Sequence, residues 1–345
     1  MPLLKTSFKI MRHAHEHPMV GEATNGAVPQ RAHKSGMRIM WFALNILVLS
    51  IVAMHPTDVQ AQNELIVGQY MHNTFAVNPA FAGSRDCMSL FGSFRKQWVG
   101  IESTPMSALI SANTPLRNES VVLGASVYHQ QIRESRNSGA LLTVGYRANV
   151  INNSTWLGFA LQPGVALRAR DWTKLDLMDP DDLAFAEKTS NVAPLLGFGV
   201  SLYGPKFFAG ISTTSFFVSN DFNKQDAEFA PGNATWVLTG GYWFDLGKKF
   251  ALQPSVLADY NKQTDFTLNG TVSAIYNDMI WLSVAYRTNK EMTFGAAFLP
   301  VKRFRIAYNY SMSMGDLKSY NSGSHEISLQ YDFLYHVKTV GHRFY

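Results

Sequence analysis

The densest group of residues able to do chemistry is the run Asp171-Trp172-Thr173-Lys174-Leu175-Asp176-Leu177-Met178-Asp179-Pro180-Asp181-Asp182. Alternate carboxylates supply the oxygen ligands that calcium takes. The run lacks the D-x-[DN]-x-[DN]-G spacing of a calcium loop, so a solvated acidic loop is the better reading. No metal site and no cofactor are expected. The histidines downstream of residue 62 (His72, His129, His325, His336, His342) are scattered, and His13, His15 and His17 alternate near the start, where they offer at most a stray ion site. No G-x-S-x-G, H-E-x-x-H, phosphate loop or C-x-x-C is present, so the chain is not expected to be an enzyme. The single cysteine, Cys87, allows no intramolecular disulfide.

A second set of charges, Arg95, Arg147, Arg287, Arg303, Arg305, Glu326 and Asp332, is spaced by the elements that carry it. Arg303, Arg305, Ala307 and Asn309 interleave with Phe304, Ile306, Tyr308 and Tyr310, and Glu326, Ser328, Gln330 and Asp332 interleave with Ile327, Leu329, Tyr331 and Phe333. A period of two puts one set on each face of a strand. Aromatic and branched residues on one face and charges on the other suit a strand between lipid and a wet lumen. The charges then form a lumen ladder; a selectivity filter is the sharper and weaker reading of it.

The pattern recurs. Fourteen strand candidates follow one another, near 87–97, 105–113, 120–130, 138–149, 155–168, 194–204, 206–215, 233–245, 249–261, 264–276, 279–288, 291–299, 301–311 and 323–334. Every second connection is short, and long ones fall between them at 169–192, 216–232 and 312–322. A barrel with tight periplasmic turns and longer external loops gives this sorting. Aromatics near strand ends (Trp156, Tyr203, Trp243, Phe244, Tyr260, Tyr276, Trp281) fit interfacial girdles. The expected fold is all-β, a single antiparallel transmembrane barrel of about fourteen strands over 87–334. Residues 62–86, with proline and glycine close together, form a plug or entrance segment, and 335–345 form a periplasmic tail.

Lys34 and Arg38 precede the apolar run Ile39 to Met54, and Val59-Gln60-Ala61 follows, so 1–61 reads as an extension and secretory signal with a mature start at Gln62. Met37 is the alternative start. The full chain carries 30 Lys+Arg against 25 Asp+Glu, of which six and three lie before Gln62; the remaining 24 and 22 leave a net charge of +2. A nearly neutral chain gives no support to nucleic-acid binding. The location expected is the outer membrane.

The stretch Asn78-Pro79-Ala80-Phe81-Ala82-Gly83-Ser84, then Arg95-Lys96-Gln97-Trp98-Val99-Gly100 and Thr104-Pro105, and downstream Ser324-His325-Glu326-Ile327-Ser328-Leu329 and the terminal Arg343-Phe344-Tyr345, resembles the PorP/SprF family of outer-membrane proteins. That family belongs to the type IX secretion and gliding-motility machinery of the Bacteroidetes. The resemblance covers Gln62 to Tyr345; the segment before Met37 departs from it. It implies a component that works with periplasmic secretion-ring proteins, or that helps deliver and retain a surface adhesin through its sorting domain. The motif residues Asn78, Pro79, Phe81, Gly83, Ser84, Arg95, Gln97 and Trp98 carry no chemistry to transfer; Pro79 and Gly83 suit a bent plug. The partner is expected on the external rim formed by Trp172, Asp176, Asp179, Phe222 and Tyr320. The competing function is a passive or FadL-like solute channel.

Overall fold

Strand after strand alternates between exposed apolar and buried polar side chains, and the chain closes these strands into a ring. The computed structural model describes residues 70–101, 103–151, 154–171, 188–213, 217–218, 228–229, 234–261, 265–315 and 321–333. The strands are β1 (Met88–Lys96), β2 (Met106–Pro115), β3 (Val121–Ile132), β4 (Ser135–Ile151), β5 (Thr155–Asp171), β6 (Lys188–Gly204) and β7 (Phe207–Thr213). A small hairpin, β8 (Phe217–Val218) with β9 (Glu228–Phe229), stands apart from the main sheet. Then come β10 (Trp236–Tyr242), its continuation β11 (Phe244–Asp245), β12 (Phe250–Asn261), β13 (Asp265–Tyr276), β14 (Ile280–Arg287), β15 (Glu291–Val301), β16 (Phe304–Ser313) and β17 (Ser324–Phe333).

Each strand pairs antiparallel with its sequence neighbour, β7 pairs with β10, and β10 and β11 both pair with β12. The ring closes where β1 pairs with β17, Met88 opposite Phe333 and Lys96 opposite His325. Counting β10 and β11 as one, fourteen strands surround the lumen. Closure leaves no unpaired edge in hydrocarbon, the condition a β-protein must meet to span a membrane.

Outward positions of β4 are Leu142, Val144 and Tyr146, each more than half exposed, while Thr143 and Arg147, on the alternate positions, are buried. On β16, Ile306 and Tyr308 face out and Arg305, Ala307 and Asn309 face in. The wall inside is rich in hydroxyls and amides: Ser111, Thr143, Gln162, Ser201, Ser212, Gln253, Thr271, Ser273 and Gln330 are all buried. Asn277 and Asp278, both at positive φ (53° and 54°), open the three-residue turn that runs through Met279 from β13 to β14. That left-handed pair matches the twist of the strands it joins.

Several expectations need correction. Strands β4, β5 and β6 are each 17 residues long, longer than the roughly 9–11 a tilted span requires. The long connection at 169–192 therefore narrows to 172–187. Four of the girdle aromatics also face inward. Tyr203, Trp243 and Trp281 are at most 4 % exposed, and Trp156 is half-buried beneath Arg147. Their rings pack in the lumen because a segment of chain fills it. Tyr260 and Tyr276 face outward as expected, at 52 % and 41 % exposure. Residues 1–61 and 335–345 lie outside the described residues.

Candidate functional site: a motif-bearing plug in the lumen

Residues 70–87 run inside the barrel before β1 begins, and nearly every one is buried. Two single turns of 3-10 helix shape the segment, Thr74–Ala76 and Pro79–Phe81. Asn78 caps the second turn, its side-chain oxygen accepting from the Ala80 N–H at 2.9 Å. Pro79 takes the first helical position, where its fixed φ suits the turn and its missing N–H costs nothing.

The amide of Asn78 also ties the turn to the wall. Its Nδ2 donates to the carbonyls of Val200 (3.0 Å) and Ile211 (3.3 Å) on adjacent strands β6 and β7. The approach is possible because Gly199 and Gly210 lie beneath; a Cβ at either would overlap the Asn78 amide. Beside it, the carbonyl of Ala80 accepts from Ser201 Oγ at 2.8 Å and lies so close to Gly158 that a Cβ there would sit 2.6 Å away. Phe81 packs on Tyr203 and Phe208, ring centroids 5.9 and 6.0 Å apart. Gly83, at φ +68°, is pressed against Val122 and Pro115 and donates its N–H to Asn113 Oδ1 at 2.9 Å. Ser84 is buried, its N–H bonded to the Phe81 carbonyl. The motif residues 78–84 thus describe one docking geometry.

Charges hold both flanks. Arg147 on β4 meets Asp86 at 2.7 Å, donates to the Gly83 carbonyl at 2.7 Å and also to the Glu119 carbonyl, and lies 4.4 Å over the Trp156 ring. Arg85 meets Asp332 of β17 at 2.8 Å and donates to the His72 carbonyl. Arg305 lies 4.8 Å over Trp281 and donates to Gln330. Further along the segment, Tyr70 bonds Ser255 and Thr271, Asn73 donates to Ser111, and Ser212 donates to the Val77 carbonyl. Burial, with Arg305 and Arg85 nearby, holds the His72 imidazole well below the usual histidine range. Burial likewise pushes the Tyr70 hydroxyl up to about 12, and burial beside Asp332 pushes the Cys87 thiol up to about 12.

Arg147, Arg305 and Asp332 all lie near strand ends at the short turns, so the plug sits in that half of the barrel. Arg287 and Glu326 lie at the other end. There Arg287 pairs with Asp259 at 3.3 Å and Arg95 with Glu291 at 2.9 Å. The ladder is therefore two separate sets of charges. Arg303 belongs to neither: it is exposed in the tight turn between Val301 and Phe304. Gln97 is buried and Trp98, at φ +49°, donates its backbone N–H to Ser324 Oγ. Strand β1 separates this second half of the motif from the plug. Trp172, Asp176, Asp179, Phe222 and Tyr320 lie outside the described residues, as does the acidic run beyond Asp171.

Sequence reasoning missed Arg85, Asp86 and His72 as plug contacts, and missed Gly158, Gly199 and Gly210 as the floor. The adjacent Arg85-Asp86 pair directly after the motif was the available signal; the glycines, on strands more than seventy residues away, gave none.

Three solved structures of similar architecture are the toluene transporter TodX of Pseudomonas putida, CymD, a monoaromatic hydrocarbon channel, and Omp33 of Acinetobacter baumannii. They are 11 %, 13 % and 7 % identical to this chain, with TM-scores of 0.45, 0.43 and 0.40. The matches cover 75 %, 79 % and 72 % of this chain and 93 %, 95 % and 98 % of theirs. Comparison with curated proteins gives no match. The family model of the type IX secretion system membrane protein PorP/SprF matches residues 59–331, and the chain belongs to that family, as an outer-membrane β-barrel of the secretion system.

Proposed function

We propose that this barrel serves type IX secretion as a plugged docking platform. In this reading a secreted or surface-retained adhesin with a sorting domain engages the external loops, including 172–187, and the short-turn face meets periplasmic ring components. The observation that supports it is the plug: residues 70–87 are bonded and packed to the wall from β2 round to β14 and β17, so a segment of chain occupies that end of the lumen. The barrel then acts by holding proteins rather than by catalysis or conduction. Loops carried on a rigid scaffold are suited to such recognition.

Deleting 174–186 tests the external role, since it leaves β5 and β6 whole. The barrel should stay heat-modifiable on gels, because loop length contributes little to folding free energy. The adhesin should fall from the cell surface into the medium or remain inside. Wild-type adhesin levels at the surface of that mutant would rule out the external loop as the partner site.

A further inference from the structure

Two motif stretches remain outside the plug, Arg95 to Trp98 and Ser324 to Leu329. They pair with each other across the seam that closes the barrel, Arg95 opposite Glu326 and Lys96 opposite His325. Arg95 and Glu326 face the lumen and are buried, and Arg95 is neutralised there by Glu291. Lys96 and His325 therefore face outward, and among the described residues neither has a carboxylate in ion-pair contact.

The outward pair is built rather than loose. A 2.7 Å hydrogen bond joins the Tyr308 hydroxyl to His325 Nδ1, and the Tyr310 ring, on the same strand, lies 5.4 Å from the imidazole. Tyr310 is fixed in turn by a hydrogen bond from its hydroxyl to the Ser322 carbonyl at 3.2 Å. When the Tyr308 hydroxyl donates to Nδ1, the ring proton sits on Nε2, the nitrogen left for a ligand. Side chains facing each other on neighbouring strands stand about 5 Å apart. The Lys96 ammonium and the imidazole N–H can thus reach two oxygens of one anionic group.

The depth of the pair says which anion. Phe94 and Ile327, the next outward pair along these two strands, are 50 % and 53 % exposed and belong to the apolar band. Lys96 and His325 sit one step beyond them at the long-loop end, where a barrel with its short turns in the periplasm meets the outer leaflet's headgroups.

We infer that Lys96 and His325, oriented by Tyr308, form a binding site on the barrel's outer wall for the phosphate of an outer-leaflet glycolipid. The test is native mass spectrometry of the full-length barrel in detergent, with bisphosphorylated lipid A, the same lipid after dephosphorylation, or inorganic phosphate added. Wild type should retain the phosphorylated lipid in preference to the dephosphorylated one, and free phosphate should not compete at equal concentration because it lacks the acyl chains. Lys96→Gln combined with His325→Gln should weaken retention roughly tenfold, while Lys96→Arg keeps it. Heat-modifiability on gels checks that each variant folds. Equal retention of both lipids, unchanged retention by the double variant, or competition by free phosphate would each overturn the assignment. So would a double variant that binds lipid normally and only assembles poorly, since the seam would then serve insertion.

Discussion

Arg147 on the barrel wall and Asp86 at the end of the plug form a 2.7 Å ion pair in which the guanidinium is 1 % exposed. The same guanidinium holds the carbonyl of Gly83, so one side chain fixes both the charge and the backbone where the plug turns into β1. Removing one partner of a pair this buried leaves the other without its counter-charge, at a cost of about 3–5 kcal/mol.

Arg147→Gln should therefore loosen the plug without opening the barrel. Cys87 reports it. In the wild type the thiol is 2 % exposed and pushed up to about 12, so maleimide at pH 8 should label it hardly at all. The variant should label at least tenfold faster in detergent while its heat-modifiability stays that of wild type. Equal labelling rates would mean that the pair does not hold the plug.

Gly199→Ala and Gly210→Ala test the seat of Asn78. Each added methyl meets the Asn78 amide rather than a flexible chain end, and overpacking of this sort costs about 1–3 kcal/mol. Limited proteolysis should cut within 70–87 in both variants and spare the wild type. Gly240→Ala, where the new Cβ would find 3.6 Å of room, is the control and should leave the plug protected.

His72 gives the plug a pH dependence of known sign. Its docked pKa lies well below the ordinary value because burial and the two arginines disfavour the cation. Once undocked, it titrates near about 6.5. The undocked segment thus binds the extra proton, so docking is fully favoured above about 6.5 and weakens as pH falls below it, by up to about 1.4 kcal/mol per pH unit. Transient openings in planar bilayers should be more frequent at pH 5 than at pH 7.5, and His72→Gln should remove the difference. Openings independent of pH in the wild type would contradict it.

Much of the barrel was legible in the sequence. The alternation in 142–148 and 304–310 reads directly onto two faces, since a period of two survives whatever the strand packs against. The strand expected at 279–288 is found at Ile280–Arg287, yet Trp281 was placed at a membrane interface. Periodicity gives the face but not what waits there, and a plug inside turns inward aromatics into core. Arg303 failed for a related reason: alternation runs unbroken through 301–311, and only the pairing of Val301 with Phe304 reveals the turn. The plug motif was visible as Asn78 to Ser84, but its floor of Gly158, Gly199 and Gly210 exists only after the strands have closed.

The most direct test of a plugged platform is conductance. Wild-type protein in a planar bilayer at neutral pH should show no steady current, and a variant lacking 70–85 should show stable openings through the hydroxyl- and amide-lined lumen. Steady, ion-selective conductance from the wild type, unchanged when 70–85 are removed, would contradict it and make the barrel a solute channel.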